Sequence, residues 1–155
     1  MIEITPTQDM KLIRDCVCHP SVYSRIADDS YPVSGEFVIP LGEGFYYLKA
    51  VEDGELLGVV LAVTENGISC STHSFFLPAA YGKTVEALKK AMEWVTEHTP
   101  WECLTAWIPE SNSLAKKMVE KAGFEEWGFI PRSWKKNGQL YGAHLYGWNR
   151  GANHG

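Results

Sequence analysis

The stretch "PESNSLAKKMVEKAGFEEWGF", residues 109–129, decides how the chain is read. Ser111, Asn112 and Ser113 carry short polar side chains that accept hydrogen bonds from the orphan N–H groups at a helix start, so a helix is expected from about Asn112. Leu114, Ala115, Met118, Val119 and Ala122 recur at steps of one and of three or four, with Lys116, Lys117, Glu120 and Lys121 opposite. That pattern is one buried face and one wet face. Gly123 stops the helix, because a left-handed residue after the last turn is least costly without a Cβ. Phe124 then folds back on the last turn, and "EEWGFIP" enters a sheet as a strand.

Upstream and downstream the elements alternate. "IEIT" reads as a first strand, and "TQDMKLIRDCVC" as a helix with Thr7 as its cap and Asp9 in its first turn. "PSVYSRIADD" forms a second short helix, and "SYPVSGEFVIPLGEG" is a long Gly- and Pro-rich loop beside a site. "FYYLKAVEDGELLGVVLAVTENGISCSTHSFFL" is three antiparallel strands, with Asp53-Gly54 and Asn66-Gly67 suited to the positive φ angles of tight hairpins. From Lys83 to about His98 the spacing of Thr84, Ala87, Leu88, Ala91, Met92 and Val95 predicts a long amphipathic helix. "WECLTAWIP" is the next strand, and after the 109–129 stretch "EEWGFIPRSWKKNGQLYGAHLYGW" makes two strands around Asn137-Gly138.

Composition narrows the function classes. In 155 residues, 45% hydrophobic content supplies one core and leaves too little chain for two comfortable domains. A net charge of −5 gives no basic footprint for nucleic acid. No apolar run approaches the roughly 18 to 20 residues of a membrane span, and "MIEITPTQ" lacks the regions of a secretion signal, so a cytoplasmic protein is expected. Cys16 and Cys18 with His19 resemble a fragment of a metal site, but no second pair stands at finger-like spacing. These two, Cys70 and Cys103 read as reduced core residues, and no metal is expected.

In this element order the chain resembles the Gcn5-related N-acetyltransferase (GNAT) superfamily over nearly its full length, most of all its phage and prophage-borne members. The residues that carry the resemblance are "HSFFLPAAYGKTVEALKKAMEWV", "WIPESNSLAKKMVEKAGFEEWGF" and "KNGQLYGAHLYGW". It implies an α+β fold of three α/β/α layers, a mixed and mostly antiparallel central sheet of about six to seven strands, and about four helices. It also implies a single acyl-CoA-binding domain over residues 1–148, with 149–155 a loose tail, in the cytoplasm of a bacterial host. Acetyl-CoA and an amine acceptor are the implied partners, with phage proteins as further ones.

In that family an Asn after the fifth strand, a small residue three further on and a Gly-Phe form one side of the coenzyme A cleft; here these are Asn112, Ala115 and Gly123-Phe124. The acyl-CoA loop of the family has Arg or Gln, two residues, Gly, one residue, and Gly or Ala, because backbone N–H groups must approach a pyrophosphate closely. This chain has "YGKTVE": Tyr81 stands for the Arg, Gly82 is kept, and Thr84 and Glu86 fall where small residues are usual. The resemblance therefore assigns cofactor contacts to Phe76, Leu77, Tyr81, Gly82, Lys83, Thr84, Asn112 and Ala115.

Acetyl transfer to an amine whose free pKa is about 10 needs a base, an oxyanion donor and a proton for the departing thiolate. His73, on the strand that would open at the thioester, is the candidate base, since an imidazole titrating near 6.5 accepts a proton directly or through water. The oxyanion donor is expected at a backbone N–H near Phe76 or Leu77. Family members often place an acidic Tyr four residues before the Gly of Gly-Phe. Val119 stands there, which leaves Tyr141, with Tyr146, as the candidate acid. Loss of that hydroxyl equally suits a domain without turnover that serves assembly or interaction in a phage. The loop from Ser30 to Gly44 is expected to line the acceptor pocket, with Glu36 and Glu43 either attracting a cation or facing water.

Overall fold

The computed structural model describes residues 1–151. A strand β1 (Ile2–Pro6) leads into helices α1 (Met10–Val17) and α2 (Pro20–Ile26), then a long loop with a short 3-10 turn at Ser34–Glu36. Strands β2 (Phe45–Glu52), β3 (Glu55–Thr64) and β4 (Ser69–Phe76) follow, then α3 (Thr84–His98), β5 (Cys103–Pro109), α4 (Ser113–Lys121), β6 (Glu125–Lys136) and β7 (Gln139–Asn149). Among the described residues the strands form one sheet in the order β1-β2-β3-β4-β5-β7-β6. Every pairing is antiparallel except β4 with β5.

Two cores, one on each face, make three layers. Ile13, Cys16 and Val17 of α1 and Val22 of α2 pack with Val59, Leu61 and Phe75 on one face. Ala87, Leu88 and Ala91 of α3 and Val119 of α4 pack with Val60, Ala62 and Leu104 on the other. Alternating side chains of β3 thus enter opposite cores, which is why its sequence reads as a nearly unbroken apolar run. Each Leu or Val so buried contributes about 1.5–3 kcal/mol. The expected fold class holds, with seven strands and four helices among the described residues. None of those helices is long and apolar enough to cross a membrane.

The 109–129 stretch folds as its residues direct. Asn112 is the N-cap of α4, its Oδ1 accepting the Ala115 N–H at 3.2 Å. At the other end Gly123 takes φ +106°, the Gly123 N–H donates to the Glu120 carbonyl at 3.1 Å and the Phe124 N–H to the Val119 carbonyl at 3.0 Å. This is the Schellman arrangement, and it buries Phe124 beneath the helix. Leu114 departs from the expected face. It is 65% exposed, because the α4 start overhangs an opening in the sheet instead of a core.

Two other local expectations are corrected. The cap of α1 is Asp9, whose Oδ1 accepts the Leu12 N–H at 3.2 Å, while Thr7 braces the cap by accepting the Asp9 N–H. Asp53-Gly54 and Asn137-Gly138 take positive φ at both positions, but Asn66-Gly67 takes it at neither. There the Asn66 side chain accepts the Ile68 and Ser69 N–H groups at 2.9 and 3.0 Å, and the side chain substitutes for the tight backbone turn. Of the stretch expected as a tail, residues 152–155 lie outside the described residues. Asn149 closes β7, and Arg150 donates to the carbonyls of Thr96, Thr99 and Trp101. The cysteines are free, and burial pushes the Cys16 and Cys70 thiols up to about 11 and about 12.

The loop between α2 and β2 is pinned from several sides. The Arg14 guanidinium donates to the Ser34 and Phe37 carbonyls, the Tyr23 hydroxyl to the Pro32 carbonyl and the Tyr47 hydroxyl to the Pro40 carbonyl. Asp29 accepts the Asn137 and Gly138 N–H groups at 2.7 and 2.9 Å, fastening the loop to the β6–β7 hairpin. Those two bonds hold its carboxyl below the usual range.

Strand β6 is irregular at an edge. Its register against β7 shifts at Trp127 and again across Pro131–Ser133, where Arg132 takes φ +52°. The Trp127 ring covers Gly147 and the Phe129 ring covers Gly142, each so closely that a Cβ would lie 2.0–2.1 Å from ring carbon. Gly58 is tighter still in kind, since its Cβ would meet the Phe75 carbonyl oxygen at 2.4 Å and the Phe76 Cα at 2.8 Å, at φ +151°. Gly58→Ala is expected to cost about 3 kcal/mol or more, whereas Gly147→Ala costs less because the half-exposed Trp127 ring can swing away. Urea denaturation of both variants measures the difference; equal losses would show that the β6 rings are as fixed as the β3–β4 backbone.

Candidate functional site

The sheet is open at its one parallel pairing. Strands β4 and β5 are in register only from Ser69 opposite Cys103 to Ser71 opposite Thr105. Beyond that the Thr72 hydroxyl reaches the Thr105 carbonyl at 3.0 Å, and the strands diverge. On its other side β4 stays paired with β3 to its end, where the Leu77 N–H donates to the Leu57 carbonyl at 2.9 Å. Alternation along that ladder turns the N–H groups of His73 and Phe75 toward β3 as well, and sends those of Ser74 and Phe76 into the opening. Leu77, one of the two expected oxyanion positions, is therefore already engaged; Phe76 is not.

Two cavities meet at this opening. One, of about 430 Å³, passes through the sheet: its walls include Tyr47, Leu61 and Phe75 from one core and Leu88, Ala106 and Val119 from the other. The second, of about 570 Å³, runs along the α3 start and the α4 start, between Tyr81, Gly82 and Thr84 on one side and Asn112 and Leu114 on the other. Arg25, Ile26, Ser74, Asn112, Ala115 and Met118 line both. A ligand in the second cavity and one in the first would touch across these six side chains.

Most of the expected cofactor residues converge. Phe76, Leu77, Tyr81, Gly82, Thr84, Asn112 and Ala115 all line the second cavity. Gly82 takes φ +81° with open space where a Cβ would stand, and among the described residues no side chain caps α3. The Thr84, Val85 and Glu86 N–H groups belong to the first turn and have no helical acceptor, which makes this end a ready acceptor of anionic groups. Lys83 does not line the cavity, because its ammonium pairs with Glu52 on β2. Glu86 is exposed and stays off the cavity walls.

The expected catalytic residues separate. His73 lines the first cavity, with Nε2 3.4 Å from the Ser71 hydroxyl. Its ring is open to water, yet it stands in a concavity whose walls crowd it. Desolvation lowers its pKa below the ordinary value, opposed by the more distant Glu65 carboxylate. Tyr141 lines neither cavity; its ring centroid lies 6.1 Å from that of Trp134. Tyr146 is buried in the core, with its hydroxyl pKa raised by that burial and then by Glu120 and Glu126. Val119 presents only methyl groups to the first cavity. The sequence reading missed Ser74 and Arg25. Ser74 brings a hydroxyl to the junction of the cavities. Arg25 brings a guanidinium there, held by its Nε donating to the Ser21 carbonyl at 2.7 Å. Only the β3–β4 register singles out Ser74; Arg25 carries no local signal on its short helix.

No protein-family model and no curated protein sequence matches the chain. Solved structures do. A spermidine N-acetyltransferase from Vibrio cholerae, in complex with CoA and spermine, superposes with a TM-score of 0.79 over 96% of this chain and 95% of that one at 14% identity. A candidate phosphinothricin N-acetyltransferase gives 0.73 over 98% and 100% at 19% identity. A Gcn5-related N-acetyltransferase from Kribbella flavida gives 0.72 over 96% and 97% at 18% identity. At these identities the likeness is one of fold: the chain has the fold of the GNAT acetyltransferases.

The His73 environment sets a pH dependence. An unfolded imidazole titrates near 6.5, and the folded one lower, so between the two values the unfolded chain binds more protons. The stability at stake is complete above about 6.5 and is lost as pH falls through the folded value. NMR titration of the ring is expected to give a midpoint below 6.5, and His73→Gln should lose less stability than the parent over that window. A midpoint at 6.5 would mean that the ring is fully solvated, and one above it that the Glu65 carboxylate outweighs desolvation.

Proposed function

We propose that the chain is an N-acetyltransferase that moves an acetyl group from acetyl-CoA to a primary amine. The observation that carries this reading is the meeting of two cavities at the β4–β5 opening, one ending at the uncapped start of α3 and the other at His73. Acetyl-CoA, when bound, supplies an activated carbonyl and a thiolate leaving group. The residues present fit it. The α3 start and Gly82 offer backbone N–H groups to a pyrophosphate, and the Phe76 N–H and the Asn112 amide face a pantetheine-sized groove. The solved acetyltransferase with CoA and spermine shares the fold.

The protein's own groups then have distinct tasks. His73, held neutral at pH 7 by its surroundings, takes the proton that leaves the amine nitrogen as the nitrogen bonds to the acetyl carbon. The Ser74 N–H, at the junction, holds the charge that develops on the carbonyl oxygen. As the carbon–sulfur bond breaks, the Ser74 hydroxyl can hydrogen-bond the departing thiolate, a task for which Val119 has no hydroxyl; Tyr141 lines neither cavity. The apolar walls keep water away from the thioester.

A second reading is favoured by Val119 alone: a domain that keeps the coenzyme cleft, turns over little, and serves assembly in a phage or prophage. Calorimetry and turnover on one preparation separate the two. Acetyl-CoA is expected to bind with micromolar affinity, and Gly82→Glu to weaken it tenfold or more, about 1.4 kcal/mol, with the fold retained but the melting temperature lowered by the strain of a side chain at φ +81°. Absence of binding at millimolar ligand would sink both readings.

His73→Ala is expected to cut acetyl transfer by about 10²–10⁴ with acetyl-CoA affinity unchanged, and to remove the acidic limb of the pH–rate profile. Unchanged turnover in the folded variant would take His73 out of the chemistry; binding without any turnover in the parent would leave the second reading.

A further inference from the structure

The walls of the first cavity also bear on which amine enters, an inference that rests on the acetyl-transfer reading. We propose that the acceptor is a small primary amine carried on an aromatic or bulky apolar body with no second positive charge, an arylalkylamine in chemical class, and that polyamines are rejected.

Charge is the first ground. Among the described residues lining that cavity there is no Asp or Glu. Glu36 and Glu43 in the facing loop are exposed and line neither cavity. Asp28 and Asp29, nearest in sequence to the lining residue Tyr31, accept from Ser30 and from the Asn137 and Gly138 N–H groups respectively. Among the described residues of that wall the one fixed cation is Arg25. A chain of two or three ammonium groups entering here would lose water, gain no carboxylate and meet a guanidinium. Each uncompensated charge makes burial steeply unfavourable.

The second ground is shape and surface. Tyr31 stacks on Phe37 with ring centroids 5.4 Å apart and planes 14° from parallel, and Tyr23 braces Phe37 edge-on at 5.6 Å. Tyr31 and Phe37 line the cavity, with Tyr47, Phe75, Trp107 and Trp134 among the other rings in its wall. The Tyr47 hydroxyl is spent on the Pro40 carbonyl, so that residue offers mainly ring surface. A volume of about 430 Å³ lies within the range of small-molecule sites and suits one ring on a short alkyl arm. Aromatic faces also attract a single ammonium as it approaches the site.

The test uses the full chain with acetyl-CoA and follows thiol release with 2-phenylethylamine, tryptamine, spermidine and Nα-acetyl-lysine. The aromatic amines are expected to exceed spermidine in kcat/KM at least a hundredfold. Phe37→Ala should lower kcat/KM for 2-phenylethylamine tenfold or more through KM, with the KM for acetyl-CoA unchanged. Tyr31→Glu, at a position 38% exposed, should raise spermidine turnover. Binding of 2-phenylethylamine in the presence of CoA, read by tryptophan fluorescence, is measured alongside. Spermidine equal to or better than the aromatic amines overturns the acceptor class while leaving acetyl transfer intact. Micromolar binding of 2-phenylethylamine but not spermidine, with no transfer to any amine, supports the class and removes the catalytic reading. Neither binding nor transfer of the aromatic amines overturns the proposal.

Discussion

Two parallel strands that hold register for only three residues and then separate leave backbone groups facing a gap. In most sheets such groups would be a defect, since a buried N–H without a partner costs about 1–3 kcal/mol. Here the defect is tolerable because one side of β4 remains fully paired with β3, so the strand cannot drift while its other side stays open. The helices are placed around the gap: α3 and α4 both start beside it, and the loop after α2 covers it from the opposite face. A cavity drawing walls from both cores can exist only where the sheet between them is interrupted. The architecture is therefore best understood as two ordinary cores joined by a sheet with an opening between β4 and β5.

Much of the fold was legible because its signals are local. Asn112, Gly123 and Phe124 carry the whole geometry of α4 within a dozen residues, and Asp53-Gly54 and Asn137-Gly138 their hairpins within two. Errors arose where two residues competed for one task. Thr7 and Asp9 both suit a helix cap, and the outcome depended on where β1 released the chain. Asn66 could serve by backbone or by side chain, and chose the side chain. Leu114 had the right spacing for burial, but spacing identifies a face of a helix and not what that face overlooks.

The candidate site was legible in part for the same reason. Residues on the α3 approach and at the α4 cap lie close in sequence to their motifs, and they converge on one cavity. His73 could be placed on the strand that opens, but the availability of the Ser74 and Phe76 N–H groups depends on the β3–β4 register, a relation between distant segments. Tyr141 was chosen by residue type and lies opposite Trp134 in the β6–β7 ladder, lining neither cavity. Lys83 was chosen for charge, which Glu52, brought near by the sheet, had already taken. Chemistry-bearing residue types are visible in a sequence; their pairings across the fold are not.

The irregular outer strand has a bearing on how the protein behaves at high concentration. An edge of twelve residues in regular extended conformation would offer an unbroken row of donors and acceptors to any neighbouring chain. Strand β6 breaks that row. Pro131 lacks a donor, Arg132 turns the backbone through a left-handed conformation, and the shift at Trp127 displaces the ladder once more. A second strand laid against it would find short, mismatched runs of partners, so growth of stacked sheets from this side is resisted by backbone geometry even though Trp127, Phe129 and Ile130 leave apolar surface in water. The bulges act as a guard on colloidal stability.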